Sequence, residues 1–176
     1  MTGIWLILVA LFFSAYFSGS EISFTSLNPI QVQIWLKQRR KGSRLTDYYL
    51  NQPDKFLITT LIGNNLANIA YTSLATIWFL QYGWSEWLNF LIISLFILFF
   101  GEIIPKLVFY ESTNFVFPGI AFITRIFHWA FYPFVWAMST VTGRLISSAD
   151  DDSANGVHRL RAHLRVYFNE AESAGQ

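Results

Sequence analysis

Glu102 places a carboxylate inside an apolar run, Leu95-Phe96-Ile97-Leu98-Phe99-Phe100-Gly101-Glu102-Ile103-Ile104-Pro105-Lys106. In a lipid bilayer such a charge costs at least ~2.5 kcal/mol on insertion scales, so by default it marks an ion or substrate path. Two other apolar stretches carry groups of related chemistry. Ser14, Ser18 and Glu21 share a helical face in the first, and Asn64 and Asn68 stand four apart in the second. Hydroxyl, amide and carboxylate oxygens are the ligands that Mg²⁺, Ca²⁺ and Na⁺ prefer. Pro105 adds a backbone oxygen: it has no N–H, so the Gly101 carbonyl loses its helical partner beside Glu102. Gly19 lets another backbone approach the first stretch. One or two carboxylates in such a set suit a divalent ion, and composition alone does not choose among the divalents.

Each group also has a plainer use. Ser, Gly and Asn commonly join transmembrane helices to one another. Glu21 could pair with the basic residues that follow its span, and Glu102 could pair with Lys106 four residues on. His128 beside Trp129 reads as an interfacial aromatic contact, and Asp150, Asp151 and Asp152 as the solvated part of a linker. Enzyme chemistry finds little support. There is no Gly-x-Ser-x-Gly, and no intramembrane His aligns with Ser18 or Ser20, which leaves a serine hydrolase a distant alternative. Phosphate-loop and dinucleotide fingerprints are missing too, and no nucleic-acid partner is expected. With no Cys and three His, soft metals lack their usual ligands.

The elements that must hold these groups follow from composition. The 176 residues are 53% hydrophobic, 19% aromatic and 13% charged, against roughly a quarter charged in a soluble domain. Mean hydropathy is +0.38. The chain therefore reads as an all-α membrane protein. Three transmembrane helices are expected, over about Ile4–Leu27, Phe56–Leu80 and Trp87–Tyr110, each about 36 Å long. No basic residue precedes the first, so it reads as a retained helix and not a signal peptide.

Lys37, Arg39, Arg40, Lys41 and Arg44 crowd the first connection, whereas the second, 81–86, has no basic residue. The positive-inside rule then puts the first connection in the cytoplasm and the N-terminus outside, with Trp78, Tyr82, Trp84 and Trp87 as an outer aromatic belt. Measured from the cytoplasmic ends, Glu21, Asn64 and Glu102 fall in one layer, roughly 10–12 Å deep, with Ser18 slightly deeper.

Asn28-Pro29 starts a short amphipathic helix, and a second short helix covers Arg44 to Leu50, both at the cytoplasmic interface. Phe115 to Val141 is long enough to span but contains Pro118, Arg125, His128 and Pro133, and a basic tail follows. It is read as a juxtamembrane helix lying along the inner interface, with Arg125 snorkelling. The expected organisation is a membrane domain over 1–146, then over 147–176 a linker and the start of a short cytoplasmic helical tail.

Phe17-Ser18-Gly19-Ser20-Glu21-Ile22, Leu61-Ile62-Gly63-Asn64-Asn65-Leu66-Ala67-Asn68 and Gly101-Glu102-Ile103-Ile104-Pro105-Lys106 together resemble the signatures of the CNNM/CorC transmembrane domain, from about residue 4 to residue 146. The resemblance implies a homodimer in the plasma membrane that transports Mg²⁺, usually as efflux coupled to Na⁺ entry. An alternative within the same resemblance is a Mg²⁺ sensor or scaffold that regulates another transporter. By position, Ser18, Asn64, Asn68 and Glu102 match the ion-binding polar residues, with backbone carbonyls near Gly19 and Gly101 as contributors. Glu21 stands where some relatives have Asn. In such proteins a helical segment leads to paired CBS domains that bind ATP. His158 to Gly175 resembles the start of that segment, so CBS domains are expected beyond this stretch of chain.

Overall fold

The computed structural model describes residues 2–140 apart from 82 and 84, and the expected linker and tail helix lie outside the described residues. The described residues are helical, with no strand among them. In order they form α1 (Thr2–Thr25), α2 (Pro29–Lys37), α3 (Ser43–Asn51), α4 (Pro53–Leu80), α5 (Glu86–Phe96), a π-helical stretch (Ile97–Ile103), α6 (Ile104–Glu111) and α7 (Thr113–Ala130). A last helix, α8, covers Tyr132–Thr140. Met1–Val135 forms one compact unit.

Two helical stretches are long and apolar enough to cross a membrane, Gly3–Thr25 and Glu86–Glu111. A third is reached if α7 and the sharply bent α8 count as one span. At 28 residues α4 has the length to span, yet its amides and threonines lower its apolar character. Large apolar side chains cover the outer faces, among them Trp5, Phe12, Phe90, Phe122 and Trp129. Such a surface is stable only against lipid. The chain is an integral membrane protein.

The polar stretches of the first two long helices leave them unbroken. α1 runs unbroken through Ser18-Gly19-Ser20-Glu21, and α4 through Gly63-Asn64-Asn65. Hydroxyls in these helices bond back to their own backbone: Ser20 Oγ donates to the Tyr16 carbonyl at 2.6 Å, and Thr72 Oγ1 to the Asn68 carbonyl at 2.8 Å. Self-satisfied side chains of this kind fit an apolar helix surface. Only the third stretch departs from α geometry. There the Ile104 N–H reaches the Phe99 carbonyl, five residues back, just before Pro105. The widened turn carries the chain past the proline within one continuous helical stretch, Glu86–Glu111.

At the far end of α1, Asn28 caps α2, its Oδ1 accepting the Ile30 N–H at 2.9 Å with Pro29 first in the helix. A turn with Gly42 at φ +85° leads into α3. Around these helices lies an aromatic core. The rings of Phe24 and Phe56 stack at 4.5 Å, and Phe117 and Tyr49 close around Phe56. Burial pushes the Tyr49 phenol up to about 12, so it stays neutral.

The juxtamembrane helix behaves differently from the expectation. α7 does more than skirt an interface: it runs antiparallel beside α1, with Phe117 near Phe24 and Phe127 against Phe13 and Phe17. The Tyr16 hydroxyl lies 3.1 Å from the Ile120 carbonyl and 2.9 Å from Thr124 Oγ1, and His128 Nδ1 lies 3.1 Å from Thr59 Oγ1. These polar partners let an amphipathic helix enter the bundle. Pro118 deprives the Asn114 carbonyl of its helical donor, and Arg40 Nη1 supplies one at 3.3 Å. Arg125 does not stand alone in solvent either: its guanidinium lies 5.1 Å from the Tyr48 ring centre.

A candidate cation site between two apolar clusters

The aromatic core just described and a smaller cluster of Ala10, Tyr71, Ala75 and Ile93 bracket a polar zone on α1, α4 and the π stretch. Its centre is a linked set. Ser14 Oγ donates to Asn68 Oδ1 at 2.6 Å, and Asn68 Nδ2 donates to Glu102 Oε1 at 3.3 Å. The Gly101 carbonyl stands 3.5 Å from Ser14 Oγ as a second, weaker acceptor. Three helical segments are thus tied through one asparagine whose two ends point opposite ways. Gly101 is required here, because a Cβ at that position would sit 2.7 Å from Ser14 Oγ. Glu102 takes the Asn68 amide and forms no ion pair with Lys106.

One turn along α1 and α4, towards α2 and α3, stands a second pair with the opposite character. Ser18 Oγ and Asn64 Oδ1 are both buried and both lack a hydrogen-bond partner. The antiparallel register that joins Ser14 to Asn68, and seats the Phe17 ring on Gly63, sets Ser18 level with Asn64. Buried polar atoms in folded proteins nearly always find a partner, so two level orphans on neighbouring helices mark a candidate ligand position; Ser23 Oγ and the Tyr49 hydroxyl are buried and unpartnered as well. Among the described residues no three His, Cys, Asp or Glu side chains converge. A cation held here would therefore rest mainly on neutral oxygens, with Glu102 supplying the charge.

Of the expected site residues, the structure brings Asn68 and Glu102 into direct contact, joins Gly101 to them through Ser14, and sets Ser18 and Asn64 one turn away. Gly19 differs from expectation. A Cβ there would lie 2.6 Å from the Phe109 ring, so it seats a side chain of α6 and not a neighbouring backbone. Glu21 is half-buried, forms no side-chain hydrogen bond, and lies outside the linked set. The common depth of Glu21, Asn64 and Glu102 does not hold either. Glu102 meets Asn68 and Ser14 instead, because the helix ends are staggered: it lies nine residues from Glu111, whereas Asn68 lies fifteen from Pro53. Ser14 was visible as the residue one turn before Ser18, but counting from the helix ends chose the wrong turn.

Comparison with known proteins identifies the family. Residues 5–176 match the family described as the cyclin M (CNNM) transmembrane N-terminal domain. A UPF0053 protein of Haemophilus influenzae is 32% identical over 146 residues, covering 80% of this chain and 34% of that protein. The UPF0053 inner membrane protein YfjD of Escherichia coli is 28% identical over 135 residues, covering 76% and 32% respectively. This chain thus spans about a third of the length of these curated relatives. An unbroken match over nearly all of its residues makes the chain a member of the CNNM transmembrane-domain family.

Proposed function

We propose that this chain is the membrane part of a Mg²⁺ transporter, with α1, α4 and the continuous rod from α5 to α6 as its three spans. The observation that carries the reading is the pair of level, buried, unpartnered oxygens on Ser18 and Asn64, one turn from the only acidic side chain in the linked set. Mg²⁺ gives up water reluctantly and demands well-placed oxygens in return. Ser18, Asn64 and Asn68 offer neutral oxygens, Glu102 offers charge, and the Gly101 carbonyl and the backbone around Gly19 offer more. Membership of the CNNM family supports the same cargo.

In this reading α2 and α3 face the cytoplasm, because the basic residues from Lys37 to Arg44 lie there, and the N-terminus is outside. The working unit is a homodimer, and the flux is efflux driven by Na⁺ entry. ATP acts through CBS domains of the longer protein. Access to the site alternates between the two sides.

The test is Mg²⁺ flux in proteoliposomes, with and without a Na⁺ gradient. The parent protein carries Mg²⁺, while Glu102→Ala and Asn64→Ala stop the flux and leave the dimer intact on size-exclusion chromatography. Unchanged flux in both variants would remove the site. Mg²⁺-dependent stabilisation with no flux by the parent protein would favour a sensor that regulates a separate transporter.

A further inference from the structure

The outer half of the α4–α5 seam contains a polar group that the proposed cargo site leaves unexplained. Asn89 on α5 is only 4% exposed, yet neither its amide oxygen nor its amide nitrogen has a hydrogen-bond partner among the described residues. Asparagine in an apolar helix ordinarily serves by bonding to a neighbouring helix, and Asn89 bonds to none. It borders a cavity of about 410 Å³ whose surface is mostly apolar, from Leu80, Phe90 and Ile93, with Thr72 and Thr76 of α4 and Glu86 and Ser94 of α5 as its other polar groups. A water takes up about 30 Å³ of liquid, so this space holds several, and a water site needs the polar partners that these residues provide.

The cavity also has a direction. Asn68, Thr72 and Thr76 follow one another at four-residue spacing along a single face of α4. The Thr72 hydroxyl donates to the Asn68 carbonyl at 2.8 Å, and Thr76 to the Thr72 carbonyl at 2.7 Å, which leaves the lone pairs of both oxygens free to accept. At one end the row meets the Asn68 amide that holds Glu102. At the other stands Glu86, the exposed first residue of α5.

We propose that this cavity is the outer half of the cation path. It is a water-filled vestibule in which Glu86 and Asn89 take up a hydrated divalent cation, and the hydroxyls of Thr76 and Thr72 lead it to Asn68 and Glu102. The inference rests on Asn68 and Glu102 being the cargo site, but its test does not depend on flux. Glu86 supplies the attraction for a dication that still carries its water. As it stands the Asn89 amide is shut off from the cavity, so it meets that water only by turning its side chain into the vestibule.

The chain contains no cysteine, so single cysteines can be introduced without removing others. Thr76→Cys, Asn89→Cys and a control, Leu91→Cys, 53% exposed on the surface assigned to lipid, are expressed in a bacterial host. Intact spheroplasts are then treated with a membrane-impermeant methanethiosulfonate. Thiols react as thiolates, which form in water and not in apolar surroundings, so the two vestibule cysteines react about tenfold faster or more than Leu91→Cys. Millimolar Mg²⁺ slows Thr76→Cys labelling, and adding Glu86→Gln removes that protection while labelling persists.

If Thr76→Cys and Asn89→Cys both react no faster than Leu91→Cys, or only with a membrane-permeant maleimide, the vestibule is ruled out. Thr76→Cys alone carries the test should Asn89→Cys fail to fold. Labelling that survives in the flux-dead Glu102→Ala background supports the vestibule independently of the cargo site. Flux without labelling removes the vestibule and leaves the site standing.

Discussion

Two neighbouring turns of the same helix pair differ in one respect: one is closed on itself and the other is open. Ser14, Asn68, Glu102 and the Gly101 carbonyl satisfy one another across three segments. Ser18 and Asn64, at the next turn, bury oxygens that nothing satisfies. An unpaired buried polar group costs about 1–3 kcal/mol. The closed turn holds α1, α4 and the π stretch in register. On the proposed reading the open turn presents oxygens to a cargo, and Glu102 serves both layers because a carboxylate has a second oxygen to give.

The largest effect should come from the residue shared by both layers. Glu102→Gln keeps an acceptor for Asn68 and removes the charge, so the helices stay together while Mg²⁺ flux falls to the level of empty liposomes. Flux and thermal melting measured on the same sample check both halves. If Glu102→Gln transports normally, the carboxylate is scaffold only, and the division between the two turns fails.

A smaller but still large effect is expected at the closest contact in the closed turn. Gly101→Ala drives a methyl into Ser14 Oγ, and overpacking of this kind typically costs about 1–3 kcal/mol. Adding Ser14→Ala gives the methyl room and recovers part of the loss, the non-additivity expected of residues in contact. Melting temperatures of the two single variants and the double variant measure the coupling. Strict additivity would mean that Gly101 and Ser14 do not lean on each other.

Much of this arrangement was legible in the sequence, and the exceptions have physical causes. The residue types sufficed to single out Asn68, Gly101 and Glu102, because a carboxylate, an amide and a proline-freed carbonyl are rare in apolar helices. Asn28-Pro29 announced the start of α2 for the same reason: its chemistry is local. What could not be read was level. Depth counted from helix ends assumes flush ends, and here α4 begins well beyond the point where α6 stops. The partnership of Ser14 with Asn68 is set by packing, including the fit of Phe17 onto Gly63, which no single helix encodes. The π stretch is similar. Pro105 predicts a disturbed turn, but whether the helix breaks or widens depends on the neighbours that pack against it. The unpartnered state of Asn89 was likewise invisible, since a lone asparagine in a span ordinarily finds a partner across the seam.

The finest distinction between the two turns can be drawn with a pair of matched serine variants. Both serines are fully buried on α1, four residues apart, and both lose only a hydroxyl on change to alanine. Ser14→Ala takes a donor from Asn68 Oδ1 and leaves that oxygen buried and unpaired, so stability without Mg²⁺ should fall by about 1 kcal/mol. Ser18→Ala removes an oxygen that already has no partner, so stability without Mg²⁺ should stay level or rise slightly. With Mg²⁺ present the order reverses. A ligand stabilises the folded state in proportion to how tightly it binds, so the Mg²⁺-induced rise in melting temperature should survive in Ser14→Ala and shrink in Ser18→Ala. Identical behaviour of the two variants, with and without the ion, would show that the turns are one layer and that the missing partner of Ser18 has no bearing on cargo.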